Sequence, residues 1–165
     1  LRDFEGRSAL LLGKAKDNNA SCAIGPFIRL FDEDFRLDDM RSLEVSVEVT
    51  GEGTAKGPHE PFAMSGVSSM SKISRDPIDL VRQTIGDNHQ YPDGLMLFLG
   101  TMFTPTQDRF APGEGFTHRA GDVVRVSVPQ LGGLVNQVNR SDKIAPWTYG
   151  TSALMRDLAK RRALA

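Results

Sequence analysis

The residues best suited to chemistry cluster early in the chain. Lys16 is followed by Asp17-Asn18-Asn19-Ala20-Ser21-Cys22 and then by Gly25-Pro26, a small and polar stretch between apolar segments. A lysine so placed can anchor a carboxylate or stabilise negative charge developing on an oxygen. By composition alone a solvated surface lysine is the commoner reading. Arg2, Asp3 and Glu5 crowd the start of the chain, and Leu99-Gly100-Thr101 closes an apolar run. A glycine and a hydroxyl residue at a strand end can offer backbone N–H groups and an O–H to an anion. Taken alone, that tripeptide reads as an ordinary strand-ending turn.

Other chemistry is weakly signalled. The histidines, His59, His89 and His118, are scattered, and no Glu-x-Glu or His-x-His pair occurs at strand spacing. Asp32, Glu33, Asp34, Asp38 and Asp39 read as a solvated loop. Ser21, Ser69 and Ser71 sit in no nucleophile elbow. The single cysteine, Cys22, excludes an internal disulfide and a cysteine-based zinc cluster. The Ala23 and Ile24 that follow it predict burial and a structural role rather than a nucleophile.

These residues must be held by a modest domain. The chain has 165 residues, 39% hydrophobic and 25% charged, with a net charge of -1. That length suffices for a hydrophobic core, and the neutral balance offers no basic field for nucleic acid or acidic lipid. Apolar runs such as Leu95 to Leu99 are far too short to span a bilayer. No signal peptide is evident, and a free cysteine agrees with a reducing compartment, so a cytoplasmic location is expected.

Strand signals dominate. From Ser42 to Thr50 the valines and Leu43 alternate with serine and glutamate, as on a half-buried antiparallel strand. Gly51-Glu52-Gly53 predicts a turn, and Gly57 to Phe62, with two prolines, an irregular excursion. Leu95 to Leu99 reads as a strand covered on both faces. Val123 to Val128 and Leu134 to Val138 predict a hairpin. Asp76-Pro77 starts a helix that Gly86 stops. Residues 152–165 read as a helix with a basic end, Lys160-Arg161-Arg162. Thr101 to Arg119, with Asp108-Arg109 in its middle, is a loop long enough to be functional.

In order along the chain, these pieces resemble the fumarylacetoacetate hydrolase family. Leu1-Arg2-Asp3-Phe4-Glu5-Gly6 is similar to its Ser-x-Arg-Asp stretch. Lys16 with Asn19-Ala20-Ser21-Cys22 and Gly25-Pro26 is similar to its Lys-x-x-x-x-Ser-x-x-x-Gly-Pro segment. Gly66 to Met70 resembles a serine-containing strand end, Leu99-Gly100-Thr101 the Thr-Gly-Thr-Pro turn, and Gly121-Asp122-Val123-Val124 the strand after it. Met102 stands where many members carry proline. Arg2 to Gly6, the Asn88 to Gly94 turn and the Phe103 to His118 loop resemble most the branch that dehydrates 2-keto-3-deoxy-pentonates. Another branch hydrolyses a carbon–carbon bond in acylpyruvates.

The resemblance implies a mainly β fold with few helices, the family's mixed β-roll or β-sandwich. Residues 1–149 would form the C-terminal part of the catalytic domain, and 150–165 a helical tail. It implies Mg²⁺, with Mn²⁺ or Ca²⁺ as substitutes, chelated by a 2-keto acid so that an enolate forms more readily. Lys16 would hold substrate oxygens and steady charge, Gly100 and Thr101 would bind the substrate's carboxylate end, and Arg2 and Asp3 would brace the metal shell. The family's three metal carboxylates align upstream of Leu1. The chain by itself is therefore expected to provide no metal ligands, to lack Mg²⁺ and to be inactive, and a non-catalytic remnant of the fold is the alternative. A homodimer is expected, with no nucleic-acid or membrane partner.

Overall fold

The structure, a computed structural model, describes residues 19–25 and 27–161. By contacts the chain divides into two compact units, Ile24–Val138 and a second that gathers residues 1–23 with Asn139–Ala165. The second unit contributes a helix, Thr151–Lys160, entered from Gly150. Its Tyr149 hydroxyl donates to Asp157 at 2.8 Å, and Trp147 is exposed. The helix lies where the tail was expected to be helical.

The unit Ile24–Val138 is built on one antiparallel sheet: β1 (Glu44–Thr54), β2 (Gly57–Ser69), β3 (Val123–Val128) and β4 (Gly132–Gln137), in the order β2-β1-β3-β4. Two short helices, α1 (Leu37–Arg41) and α2 (Pro77–Thr84), accompany it. The protein is thus mainly β with few helices, as its alternating pattern predicts. Register sets Val45, Val47 and Val49 of β1 opposite Ser68, Gly66 and Met64 of β2, and sets Val47 and Val49 opposite Val126 and Val124 of β3. Since side chains alternate at period two, all of these share one face. The other face carries Glu44, Ser46 and Glu48, with Glu48 directly opposite Arg125. The core lies on the valine face in two clusters. One holds Phe35, Leu43 and Val128, and the other Val49, Phe62 and Met64.

Several local expectations are corrected in whole or in part. The Gly51-Glu52-Gly53 turn is instead a bulge inside a continuous β1, where the register shifts between Glu52 and Thr54 and Gly53 takes φ +92°. Gly57 to Phe62 belongs to edge strand β2, and the expected irregularity is a register shift within it: Pro61 pairs with Glu52 and Gly57 with Thr54, so Pro58, His59 and Glu60 face the single Gly53. Leu95 to Leu99 is not a strand: no described neighbour pairs with it, and Met96 and Phe98 are 59% and 66% exposed. A continuous apolar run records hydrophobicity but not the partner that a strand requires. Cys22 is exposed, as is Ile24 beside it, so the apolar neighbours did not signal burial.

The start of α2 follows the sequence closely, whereas the loop expected at Asp38 and Asp39 is a helix. Asp76 caps α2 by accepting the Ile78 N–H at 2.9 Å, with Pro77 in the first turn. Asp38 and Asp39 stand in α1 rather than in a loop, and Asp39 accepts the Arg36 N–H at 2.7 Å. Among the described residues no helix is long and apolar enough to cross a membrane.

Candidate functional site

The valine face of the sheet floors a cavity of about 350 Å³. Val45, Val47 and Val49 form its base with Val124 and Val126, and Phe103 and Phe116 wall it from the long loop. Gly66 explains how Phe103 comes so close. A Cβ on Gly66 would lie 2.3 Å from the ring, so only glycine at this strand position lets the aromatic rest on the backbone.

Polar groups reach the cavity at four residues: Gly100, Thr101, Ser68 and His118. Gly100 adopts φ +82°. The Thr101 hydroxyl accepts the Phe103 N–H and donates to the Phe103 carbonyl, each at 3.1 Å, so its hydrogen is engaged within its own turn. The Ser68 hydroxyl accepts the Met102 N–H at 2.8 Å. Among the described residues nothing accepts the Ser68 proton.

His118 packs edge-on to Phe116, with centroids 4.8 Å apart. Its Nδ1 is buried without a hydrogen-bond partner, 3.6 Å from Asp122 Oδ2. Burial pushes the imidazole below its ordinary pKa, against the opposing pull of the Asp122 carboxylate. The ring is held neutral near pH 7.

Behind His118 lies a buried ion pair. Arg109 and Asp122 are 2% and 1% exposed. Arg109 meets the carboxylate with both Nη atoms, at 2.5 and 2.8 Å. Its other three N–H bonds go to the carbonyls of Gly53, Thr117 and Glu52. All five guanidinium donors are therefore used. Two of those carbonyls, Glu52 and Gly53, belong to the stretch of β1 where the register shifts. Asp122 also accepts the Arg119 N–H at 2.8 Å. Burial pushes its carboxyl up, but the bonds from Arg109 and the Arg119 N–H outweigh it and hold the group below the usual carboxylate range. Asp108 accepts the N–H groups of Gly113 and Gly115, which pins the tip of the loop and lowers that carboxyl's pKa.

Of the residues expected in the site, Gly100 and Thr101 share this cavity. Lys16, Arg2 and Asp3 lie outside the described residues. Asp108 and Arg109, noted within the loop, bind the chain to itself. His118 and Ser68 were missed. The signal for Ser68 was its place in the stripe Met64-x-Gly66-x-Ser68, a lone hydroxyl at an inward strand position. For His118 it was the alternation Phe116-x-His118 with an aspartate four residues on. A second hollow, of about 480 Å³, lies beside Glu52, His59 and Arg119. There His59 Nδ1 faces Glu52 at 3.4 Å and the Arg119 guanidinium leans on the carbonyls of Glu52 and Pro58, so its polar groups largely answer one another.

Among the described residues no group of three or more His, Cys, Asp or Glu side chains is placed to hold a metal ion. No protein-family model, curated protein or solved structure matches the chain.

Proposed function

We propose that the chain contributes the substrate-holding part of a magnesium-dependent enzyme acting on 2-keto acids, dehydrating a 2-keto-3-deoxy sugar acid. The observation that carries this reading is the cavity on the valine face with Gly100 and Thr101 among its lining residues. Its volume of about 350 Å³ suits a small acid. The antiparallel sheet is compatible with the β-roll of the fumarylacetoacetate hydrolase family, and that finer fold belongs to the same proposal, as do a homodimer and a cytoplasmic setting.

The roles divide by chemistry. The backbone at Gly100 and Thr101 would receive the carboxylate end, and Lys16 would steady charge on the substrate's oxygens. The Thr101 hydroxyl would have to leave Phe103 to join them. Magnesium would supply Lewis acidity toward the 2-keto acid.

A second reading has its own support. The cavity lining is mostly hydrocarbon, from valines, Met64 and the two phenylalanines. That favours an apolar acyl end over a polyhydroxylated chain, and so the hydrolysis of an acylpyruvate. Assays of the product of the complete gene with 2-keto-3-deoxy-pentonates and with acylpyruvates separate the two. Turnover of neither would leave the non-catalytic reading in possession. In the active protein Lys16→Ala should depress kcat/KM by at least about 100-fold with little change in folding. Unchanged kinetics would remove Lys16 from the site.

A further inference from the structure

We propose that His118 is the proton-transfer group of the cavity, with Nδ1–H turned to Asp122 and a bare Nε2 taking a proton from the ligand's C3. The inference rests on the 2-keto acid reading above and adds the residue that moves the proton. Three observations support it. His118 lines the same cavity as Thr101 and Ser68. One ring nitrogen, Nδ1, is buried against Asp122 at 3.6 Å, and a carboxylate there favours the tautomer whose hydrogen sits on that nitrogen. Asp122 cannot drift to meet the ring, because Arg109 grips both its oxygens and Arg119 N–H holds one of them. The ring nitrogen left over is Nε2.

Among the described residues, the charged groups facing the imidazole are Asp122, which favours its protonation, and Arg109, which opposes it. With burial acting on the side of Arg109, the ring is neutral and base-competent near pH 7. Ser68 complements it as a donor: its oxygen already accepts the Met102 N–H, so its own hydrogen is free for the 2-keto oxygen.

The step balances without an oxidant or reductant. The C3–H bond breaks and the proton goes to Nε2. The bonding pair forms the C2–C3 double bond of an enolate, with charge on the keto oxygen. For a 4-hydroxy substrate the enolate collapses to a C3–C4 double bond, the C4–O bond breaks, and the proton on Nε2 leaves with the hydroxide as water. His118 returns to its neutral form.

Long-range ¹H–¹⁵N spectra of the ¹⁵N-labelled chain across pH 5 to 9, with and without 2-oxobutyrate, test this directly. The expected result is a neutral His118 at pH 7 with its proton on Nδ1, and an Nε2 resonance that moves on adding 2-oxobutyrate. A proton on Nε2 at pH 7 would overturn the proposal. If the amides of Thr101 and Phe103 respond while Nε2 does not, the cavity reading stands and the role of His118 falls. If none of them responds, both fall. In the product of the complete gene, His118→Gln should slow deuterium incorporation at C3 of 2-oxobutyrate by about 10²- to 10⁴-fold. Exchange at the parental rate would sink the proposal.

Discussion

Two sets of polar side chains meet on either side of Asp122, and they differ in how fully they are bonded. Around Arg109 every guanidinium hydrogen has an acceptor, and both carboxylate oxygens of Asp122 are engaged. In the cavity, Ser68 keeps a free hydrogen and His118 Nδ1 has a neighbour but no bond. A saturated buried network has no capacity left for a ligand, and its contribution is to hold the fold. Groups left short of partners in a hollow cost stability until something fills it, which is the usual signature of a site. The buried pair should therefore respond to mutation in stability, and the cavity in binding.

The largest effect tests the first half of that contrast. Asp122→Asn leaves Arg109 buried beside a neutral group and should cost about 3–5 kcal/mol, a fall in Tm of roughly 10 °C for a domain of this size. Calorimetry or urea unfolding measures it. The exposed pair Arg140–Asp142, also 2.8 Å apart, is the internal control. Asp142→Asn should leave stability almost unchanged, because solvent screens an exposed pair. Equal effects at the two sites would mean that burial is not what distinguishes them.

The same contrast has a pH dependence with a fixed sign. His118 and Asp122 both have folded pKa values below their ordinary ones, near 6.5 and 3.9 in unfolded chains. At acid pH the unfolded chain binds more protons at each group, so stability rises with pH. It is complete above about pH 6.5 and falls below that as unfolded His118 takes up its proton. It falls again below about pH 4 through Asp122. Unfolding midpoints across pH 3 to 8 should show both stages, and Asp122→Asn should shrink the lower one to the part that Asp108 and the other bonded carboxylates supply. A stability that rose on acidification through this range would contradict the burial of His118 and the bonds that keep Asp122 ionised.

The sheet was legible because alternation is a local property. Val45, Val47 and Val49 declare a face by themselves, and the predicted hairpin of β3 and β4 needed only its two runs and the turn between them. Failures came where the answer lay in a distant partner. Leu95 to Leu99 has the composition of a buried strand but, among the described residues, no strand beside it. The Gly51-Glu52-Gly53 segment looks like a turn until Arg109, more than fifty residues away, is seen collecting the carbonyls of Glu52 and Gly53. Gly100 and Thr101, an ordinary turn when read alone, were singled out by the family resemblance, and both line the cavity. His118 could not, since its meaning depends on a buried Asp122 that reads in sequence as part of a strand entry.

Gly66→Ala couples the two properties at the cavity wall. The new methyl would meet three carbons of the Phe103 ring at 2.3 to 2.5 Å, and the ring must move off the sheet. The expected cost is about 1–3 kcal/mol. Because Phe103 walls the cavity, the response of the Thr101 and Phe103 amides to 2-oxobutyrate should be lost at the same time. Retention of that response in a destabilised variant would mean that Phe103 does not shape the cavity.

Among the cavity variants Ser68→Ala should produce the smallest change in stability, and it is the sharpest discriminator. It removes only the acceptor of the Met102 N–H, which lies at an exposed residue where water can replace it. Stability should therefore fall by about 1 kcal/mol at most. The hydroxyl's free hydrogen is the group that the folded chain does not use, so its loss should appear in binding: about tenfold weaker for 2-oxobutyrate, the equivalent of one hydrogen bond. NMR titration reads the binding and urea unfolding the stability. A variant that lost stability but kept its affinity would place Ser68 with Arg109 and Asp122, among the residues that hold the loop to the sheet.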